Sequence, residues 1–331
     1  MIKHPCRSET CEGSKGRLST YHTHTIVDLR TGPRHPSQTR GCRTPVPVFL
    51  PSFYPVPCLP ATYMIEWRSV VDDPANTEVT LAGGNSNRVT RLGATVRRNT
   101  GPHTPAVHAL LQHLERHGFT GSPRLLGVEG GREILSFIDG EAGTYPIKPA
   151  VQTTEALDTS VALLQRFHDA TAGLALPDGW VDHQVAGTTS EVICHWDAAP
   201  YNIVYQGSRA VGLIDFDHAG PGRRIDDIAY LAYRLAPLCA DTNLNAGGWD
   251  TSVDRLGRLR RILRRYPSEH RTLIPDLVTD RLERMKHWIL TRSAAGDPTV
   301  EVHIRENHVG IYAADQHFIT SNRDTILSAL Q

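Results

Sequence analysis

The chain has 331 residues, with 35 Lys and Arg against 35 Asp and Glu and 40% hydrophobic residues, a length that buries one large core or two smaller ones. A formal net charge of zero excludes a whole-protein electrostatic footprint for nucleic acid. The neutrality hides an asymmetry: residues 1–63 carry eight basic and three acidic residues and the remainder 27 and 32, so the part that reads as folded is mildly acidic.

The first 63 residues hold Cys6, Cys11, Cys42 and Cys58, four of the six cysteines, and the proline-dense run "TPVPVFLPSFYPVPCLP". Proline removes backbone donors and kinks helices, so this run cannot form a membrane-spanning helix. No charged stretch leads into an apolar one as a secretion signal requires, and we expect a cytoplasmic protein with no membrane partner. Cys6 and Cys11 have no matching second pair, whereas structural zinc sites join two close ligands to two more. The segment reads as a disordered extension whose apolar burial does not offset its ordering entropy, or as sequence ahead of a natural start at Met64.

From Met64 the pattern becomes regular. "EVTLAGGNSNRVTRLGATVRR", 78–98, reads as three antiparallel strands with a tight turn at Gly93. Thr104 and Pro105 suit a helix start, Val107, Leu110, Leu111 and Leu114 repeat on one face, and Gly118 is the stop. "SPRLLGVEG" and "REILSFIDGE" read as a hairpin around Gly130 and Gly131. A small sheet with one helix is thus complete by about residue 138. Beyond it a stripe of Leu157, Val161, Leu164 and His168 opens a region that reads as mostly helical to the end, apart from residues 191–230. No internal repeat is present.

That exception, "EVICHWDAAPYNIVYQGSRAVGLIDFDHAGPGRRIDDIAY", keeps a lone carboxylate, Asp197, in an uncharged run. "NIVYQGSRAVGLID" reads as a hairpin with Gly207 and Ser208 at its tip. Pairing Gln206 with Arg209 and counting back sets Asn202 opposite Leu213, with Asp215 its diagonal neighbour about 7–8 Å away, within reach of one bridging cation. Asp197, on the turn that enters the hairpin, overlooks the same spot. One carboxylate for a proton, with a carboxylate and an amide for a metal, is the equipment of phosphoryl transfer.

"HWDAAPYN" fits H-x-D-x-x-x-x-N, the kinase catalytic loop, and "IDFD" stands where kinases carry the metal-binding D-F-G. Together with "GLIDFDHAGPG" and "DDIAYLAYR", these motifs resemble the aminoglycoside phosphotransferase and choline kinase-like family from about Met64 to the C-terminus, most closely between 191 and 238. The resemblance implies an α+β, two-lobed protein-kinase-like fold: a nucleotide-binding lobe of antiparallel sheet and one helix at 64–138, and a larger, mainly helical catalytic and substrate-binding lobe at 139–331. It implies ATP and Mg2+, and a small-molecule hydroxyl as acceptor. Asp197 would orient that hydroxyl or take its proton. Asn202 and Asp215 would hold Mg2+, with Asp217 as an outer or second-metal ligand. His195 and Asp227 would be scaffold. Gly83, Gly84, Ser86 and Asn87 match the loop over the phosphates, although the glycine pair alone reads as a hairpin turn. Ser136, Phe137 and Ile138 fall at the hinge whose backbone meets adenine.

The chain also departs from the family pattern. Arg97 and Arg98 stand where most members place a phosphate-contacting lysine, and we take Arg97 as the inward one. Val107, His108 and Ala109 occupy the place of the partner glutamate. Trp196 replaces the arginine with which protein kinases sense a phosphorylated loop, and no A-P-E follows, which argues against a protein kinase. Residues 231–331 carry 14 basic and 12 acidic residues, including "RLGRLRRILRR", a solvated helix face or an anion-binding surface. Tyr230, Tyr233, Trp249 and Trp288 read as core or as a cage for a quaternary amine. The expected function is an ATP-dependent phosphotransferase acting on an aminoglycoside, amino alcohol or sugar-like hydroxyl, as monomer or homodimer. The alternative is a catalytically weak or inactive nucleotide-binding module, suggested by the missing lysine and glutamate.

Overall fold

The computed structural model describes residues 77–81, 89–174, 178–181, 183 and 189–331. The chain divides into two units, Met1–Glu66 and Trp67–Gln331, and every described residue belongs to the second. The expectations for residues 1–63, and for the phosphate loop of Gly83, Gly84, Ser86 and Asn87, fall outside the described residues.

Strands β1 (Val79–Thr80), β2 (Thr90–Leu92) and β3 (Thr95–Asn99) form the antiparallel meander, with Gly93 at φ +56° in the β2–β3 turn. Helix α1 (Thr104–Arg116) follows, and buries Val107, Leu110, Leu111 and Leu114. Its start differs from expectation by one residue. The Thr104 hydroxyl accepts from the Gly101 amide at 2.7 Å, capping the turn before the helix, and His103 takes the N-cap position. Strands β4 (Leu125–Glu129) and β5 (Arg132–Ser136) are joined through Gly130 and Gly131 at φ +57° and +75°, the double positive φ that a two-residue type I′ hairpin demands. The sheet order is β1-β2-β3-β5-β4, so the last strand formed, β5, lies beside β3 and sets the partners of both arginines.

The chain leaves this sheet at Phe137, whose amide donates to the Ala94 carbonyl at 2.8 Å. Gly140 comes next at φ +136°, and a Cβ there would meet the Tyr205 carbonyl at 2.5 Å. Strand β6 (Glu141–Ala142) then docks on the larger part. There α2 (Pro149–Gln152) leads into α3 (Thr154–Thr171), which is capped by the Thr153 hydroxyl and buries Leu157, Val161, Leu164 and His168. Strands β7 (Val192–Cys194), β8 (Ile203–Gln206), β9 (Arg209–Leu213) and β10 (Gly220–Gly222) form two small sheets, β6-β8-β9 and β10-β7.

The remainder is helical. It comprises α4 (Arg224–Leu235), α5 (Asp241–Ala246), α6 (Arg255–Arg265), α7 (Ile274–Ala294), α8 (Glu301–Arg305), α9 (His308–Ser321) and α10 (Arg323–Ala329). Helix α3 packs on β9 and α6, and α7 packs on α4 and α9. Phe167, Ile228, Leu231, Leu235, Leu259, Ile262, Ile274, Val278 and Leu282 meet in the core, each worth about 1.5–3 kcal/mol on burial. Tyr230, Tyr233 and Trp249 are buried, whereas Trp288 is exposed on α7. The arginine run is α6, and it is largely committed within the protein. Arg258 donates to the Leu235 and Gln152 carbonyls, and Arg261 and Arg265 both meet Asp158. Among the described residues no helix is long and apolar enough to cross a membrane.

Candidate active site

Strand β7, buried at all three positions, leads into the loop His195–Ala199. Trp196 sits at φ +60°, a left-handed conformation that costs a non-glycine residue energy and persists only when its surroundings impose it. Asp227 on α4 imposes it here. Its carboxylate, fully buried, accepts from the amides of His195 at 2.6 Å and Trp196 at 2.8 Å and from His168 Nε2 at 3.0 Å. Burial raises its pKa, but the hydrogen bonds from His168 and the His195 amide outweigh that and hold it below the usual carboxylate range.

His195 joins the two halves of the site. Its Nε2 donates to the Ile214 carbonyl at 3.0 Å, and its Nδ1 accepts from the Asp197 amide at 3.3 Å. Both ring nitrogens are thus spent on backbone partners. Asp197 follows, with Asn202 Nδ2 donating to its Oδ2 at 2.8 Å and Tyr201 donating to its Oδ1 at 2.9 Å. The buried Ala198 and Ala199 and a 3-10 turn at Pro200–Asn202 set that spacing. Burial and the Asp197 charge raise the Tyr201 pKa well above its ordinary value, so its hydroxyl remains a donor.

The hairpin pairs Gln206 with Arg209 as expected, but a bulge shifts the register so that Val204 faces Gly212 and Ile203 faces Leu213. Asn202 therefore stands beside Ile214, whose amide donates to its carbonyl at 2.9 Å, and not opposite Leu213. The extra bulge residue moves the pairing by one. Asp215 comes next at φ +64°, a region that Asp tolerates better than most residues. Phe216 is buried against the rings of His195 and Phe167, at 4.8 and 5.7 Å. It anchors a turn whose flanking carboxylates, Asp215 and Asp217, stay 46% and 42% exposed.

The arginine assignment needs correcting. Arg98, not Arg97, reaches these carboxylates, with Nη1 at 3.0 Å from Asp215 Oδ1 and Nη2 at 2.7 Å from Asp217 Oδ1. The cause is register. Arg98 pairs with Glu133 on β5 and Arg97 with Ile134, and alternation sends Arg97 to the opposite face. Arg98 Nε also donates to Glu133, which is 1% exposed and accepts from His108 Nε2 at 2.6 Å. The carboxylate partner missing from α1 is supplied from β5, with α1 contributing His108 as a second contact. Burial raises the Asp215 pKa and the Asp217 charge adds to it, while Arg98 opposes both; solvent at the half-exposed side chain moderates the shift.

At the hinge, the Ser136 amide donates to Arg124 and that of Phe137 to Ala94. The Ile138 amide has no such partner among the described residues, and its side chain packs where a Cβ on Gly212 would stand. The structure thus joins Asp215 and Asp217 through Arg98 and Asp197 through Asn202, and the Asn202 carbonyl bonds the Ile214 amide one residue before Asp215. Sequence reasoning ranked Arg98 below Arg97 and missed Glu133, Tyr201 and Arg281, whose Nη2 lies 3.3 Å from Asp197 Oδ1.

A sequence model described as "Phosphotransferase enzyme family" matches residues 174–259. A trifolitoxin immunity protein of Rhizobium leguminosarum bv. trifolii is 37% identical over 198 residues, 58% of this chain and 74% of that protein. A choline/ethanolamine kinase family protein from Mesorhizobium loti superposes with a TM-score of 0.56 at 16% identity, covering 78% of this chain and 94% of that one. An amicoumacin kinase in complex with AMP-PNP, Ca2+ and Ami gives a TM-score of 0.53 at 14% identity, over 75% and 88%. The fold they share is the two-lobed, protein-kinase-like α+β arrangement.

Proposed function

The chain belongs to the aminoglycoside phosphotransferase and choline kinase-like family of phosphotransferases, and we propose that it transfers the γ-phosphoryl group of ATP to a hydroxyl of a small molecule. The observation that carries this reading is the convergence of Asp197 and Asn202 from one loop, Asp215 and Asp217 from the next, and Arg98 from the sheet. The acceptor oxygen forms its bond to the γ-phosphorus as the bond to the bridging oxygen of ADP breaks, and the hydroxyl proton passes to the Asp197 carboxylate. Tyr201 and Asn202 hold that carboxylate in place. Arg98 supplies a fixed positive charge for the phosphates.

A magnesium ion fits this set. Asp215 and Asp217 already converge on one cation, the Arg98 guanidinium, and carboxylate oxygens are the hard donors Mg2+ takes. Asp215, Asp217 and the Asn202 side-chain oxygen would hold it, and its charge would neutralise the phosphate oxygens. The inactive-module alternative rested on a missing lysine–glutamate pair. Arg98 with Glu133 makes an arginine–glutamate pair on the sheet, which supports the active reading.

Asp197→Asn tests the reading. A group that works in the transition state leaves nucleotide affinity near wild type while kcat falls about 10²- to 10⁴-fold, the usual size of a general-base contribution. Calorimetry with Mg-ATP and single-turnover rates on one preparation give both quantities. Undiminished turnover in a folded Asp197→Asn protein would overturn the mechanism. The immunity protein's name specifies no acceptor, so acceptor chemistry has to come from the charges around Asp197.

A further inference from the structure

One guanidinium group touches Asp197 and a second is linked to it through tyrosine hydroxyls. Arg281, from α7, lies over the Tyr230 ring at 3.8 Å and touches Asp197 Oδ1 at 3.3 Å. That contact is long for a charge-assisted bond, which ordinarily closes to about 2.7–2.9 Å. Only 14% of the Arg281 side chain is exposed, and its buried Nε has no partner among the described residues. The second group, Arg234, is linked to Asp197 through hydroxyls: Arg234 Nη2 donates to Tyr230 at 2.9 Å, Tyr230 and Tyr201 are 3.0 Å apart, and Tyr201 donates to Asp197.

Arg234 is also enclosed by rings. Its guanidinium stands 4.7 to 5.9 Å from the centroids of Tyr145, Tyr201, Tyr230 and Tyr233. No carboxylate among the described residues forms an ion pair with it. An aromatic box of this kind attracts a cation, and here the protein's own arginine fills it. Arg284 lies one turn beyond Arg281 on α7, and burial followed by the Arg281 charge lowers its pKa, though Asp280 and Asp226 oppose the shift. His183, stacked on Trp196 at 4.7 Å, is pushed down to about 4 by burial and then by the Arg281 charge. The α7 side of Asp197 therefore carries guanidinium charge, and the Arg281 Nε is left short of an acceptor among the described residues.

Resting on the phosphotransferase reading, we propose that the acceptor is a hydroxyl compound that also carries an anionic group, a carboxylate or a phosphate, and that Arg281, backed by Arg234, anchors that group beside Asp197. Guanidinium matches either anion with a planar fork of donors. The acceptor's anion takes Arg281 from its loose contact with Asp197 and frees the carboxylate to receive the hydroxyl proton. Polycationic aminoglycosides and choline are poor acceptors for such a site.

The test uses the full chain saturated with Mg-AMP-PNP, which keeps added anions out of the nucleotide site, and calorimetric titration with glycerate, inorganic phosphate and choline. Glycerate or phosphate binds and choline does not, and whichever anion binds identifies the group. Arg281→Gln weakens that binding by about tenfold or more, as loss of a hydrogen bond to a charged group does. Arg281→Lys, which keeps the charge, restores part of it and guards against a folding defect. In turnover with Mg-ATP, glycerate or glycerol 3-phosphate exceeds glycerol and choline in kcat/KM, and Arg281→Gln removes the preference mainly through KM. Binding of neither anion to the wild type, equal binding to Arg281→Gln, or turnover confined to neutral or cationic alcohols overturns the proposal and leaves the phosphotransferase reading standing. Failure of Mg-AMP-PNP itself to bind overturns that reading, and the acceptor proposal with it.

Discussion

Arg98 meets three carboxylates, and one of them, Glu133, is buried. Removing the arginine leaves that charge with His108 alone, and breaking a buried pair from one side costs about 3–5 kcal/mol. Arg98→Ala is therefore expected to lose stability on that scale and to weaken Mg-ATP. Arg97→Ala, whose side chain makes no ion pair among the described residues and whose buried Nε lacks a partner, is expected to change stability by about 1 kcal/mol or less. Urea unfolding and nucleotide calorimetry on both variants rank them, and the opposite ranking would move the phosphate contact back to Arg97. The sequence could not choose between these neighbours because parity along a strand is set by the strand beside it, and Glu133 lies 35 residues away across a helix. By contrast, Asp197, Asn202, Asp215 and Asp217 were legible because each falls within one short motif whose spacing is itself the chemistry. Arg281 was not, being 84 residues from Asp197 and brought there only by the packing of α7 on α4.

The catalytic loop is an element held from outside. The β4–β5 hairpin was readable from its two glycines, but the β8–β9 bulge was not, since no residue in "NIVYQGSRAVGLID" demands an extra position. What fixes the loop before that hairpin is Asp227, through two backbone amides and His168. Asp227→Asn turns one acceptor oxygen into a donor facing other donors, and is expected to cost about 3–5 kcal/mol near pH 7, the scale of a broken buried network. The acid limb should change as well. The folded carboxyl titrates below its unfolded value, so its stabilisation is complete above the unfolded pKa of about 3.9 and is lost as pH falls through the lower folded value. Wild type should therefore lose this contribution only below about pH 4, and the Asn variant should show a shallower decline there. Urea midpoints from about pH 7 down to about pH 3 measure both slopes. Parallel curves for the two proteins would mean that Asp227 is not the group holding the loop.

For the whole molecule, the question is how much of the chain the site needs. Every described residue of the core and of the candidate site lies within the unit Trp67–Gln331. That unit closes its own layers: α1 against the small sheet, α3 against β9 and α6, and α7 between α4 and α9. A body of this size buries about three-quarters of the surface its unfolded chain exposes, enough to stand without a further layer. Residues 1–63, proline-dense and basic, are expected to add little to it, so a protein starting at Met64 should melt within about 2 °C of the full chain and keep its Mg-ATP affinity. The measurement is sensitive enough to decide, because about 1 kcal/mol moves the Tm of a body this large by about 2–4 °C. If the first segment packs on the rest, even one buried aromatic ring contributes about 1.5–3 kcal/mol, and the truncated protein melts visibly lower. If Cys6, Cys11, Cys42 and Cys58 instead hold a zinc ion, metal analysis of the full chain finds about one equivalent that the truncated protein lacks. Either result would make the first segment part of the folded enzyme, and neither is expected from a stretch whose prolines interrupt helices and whose charges favour water.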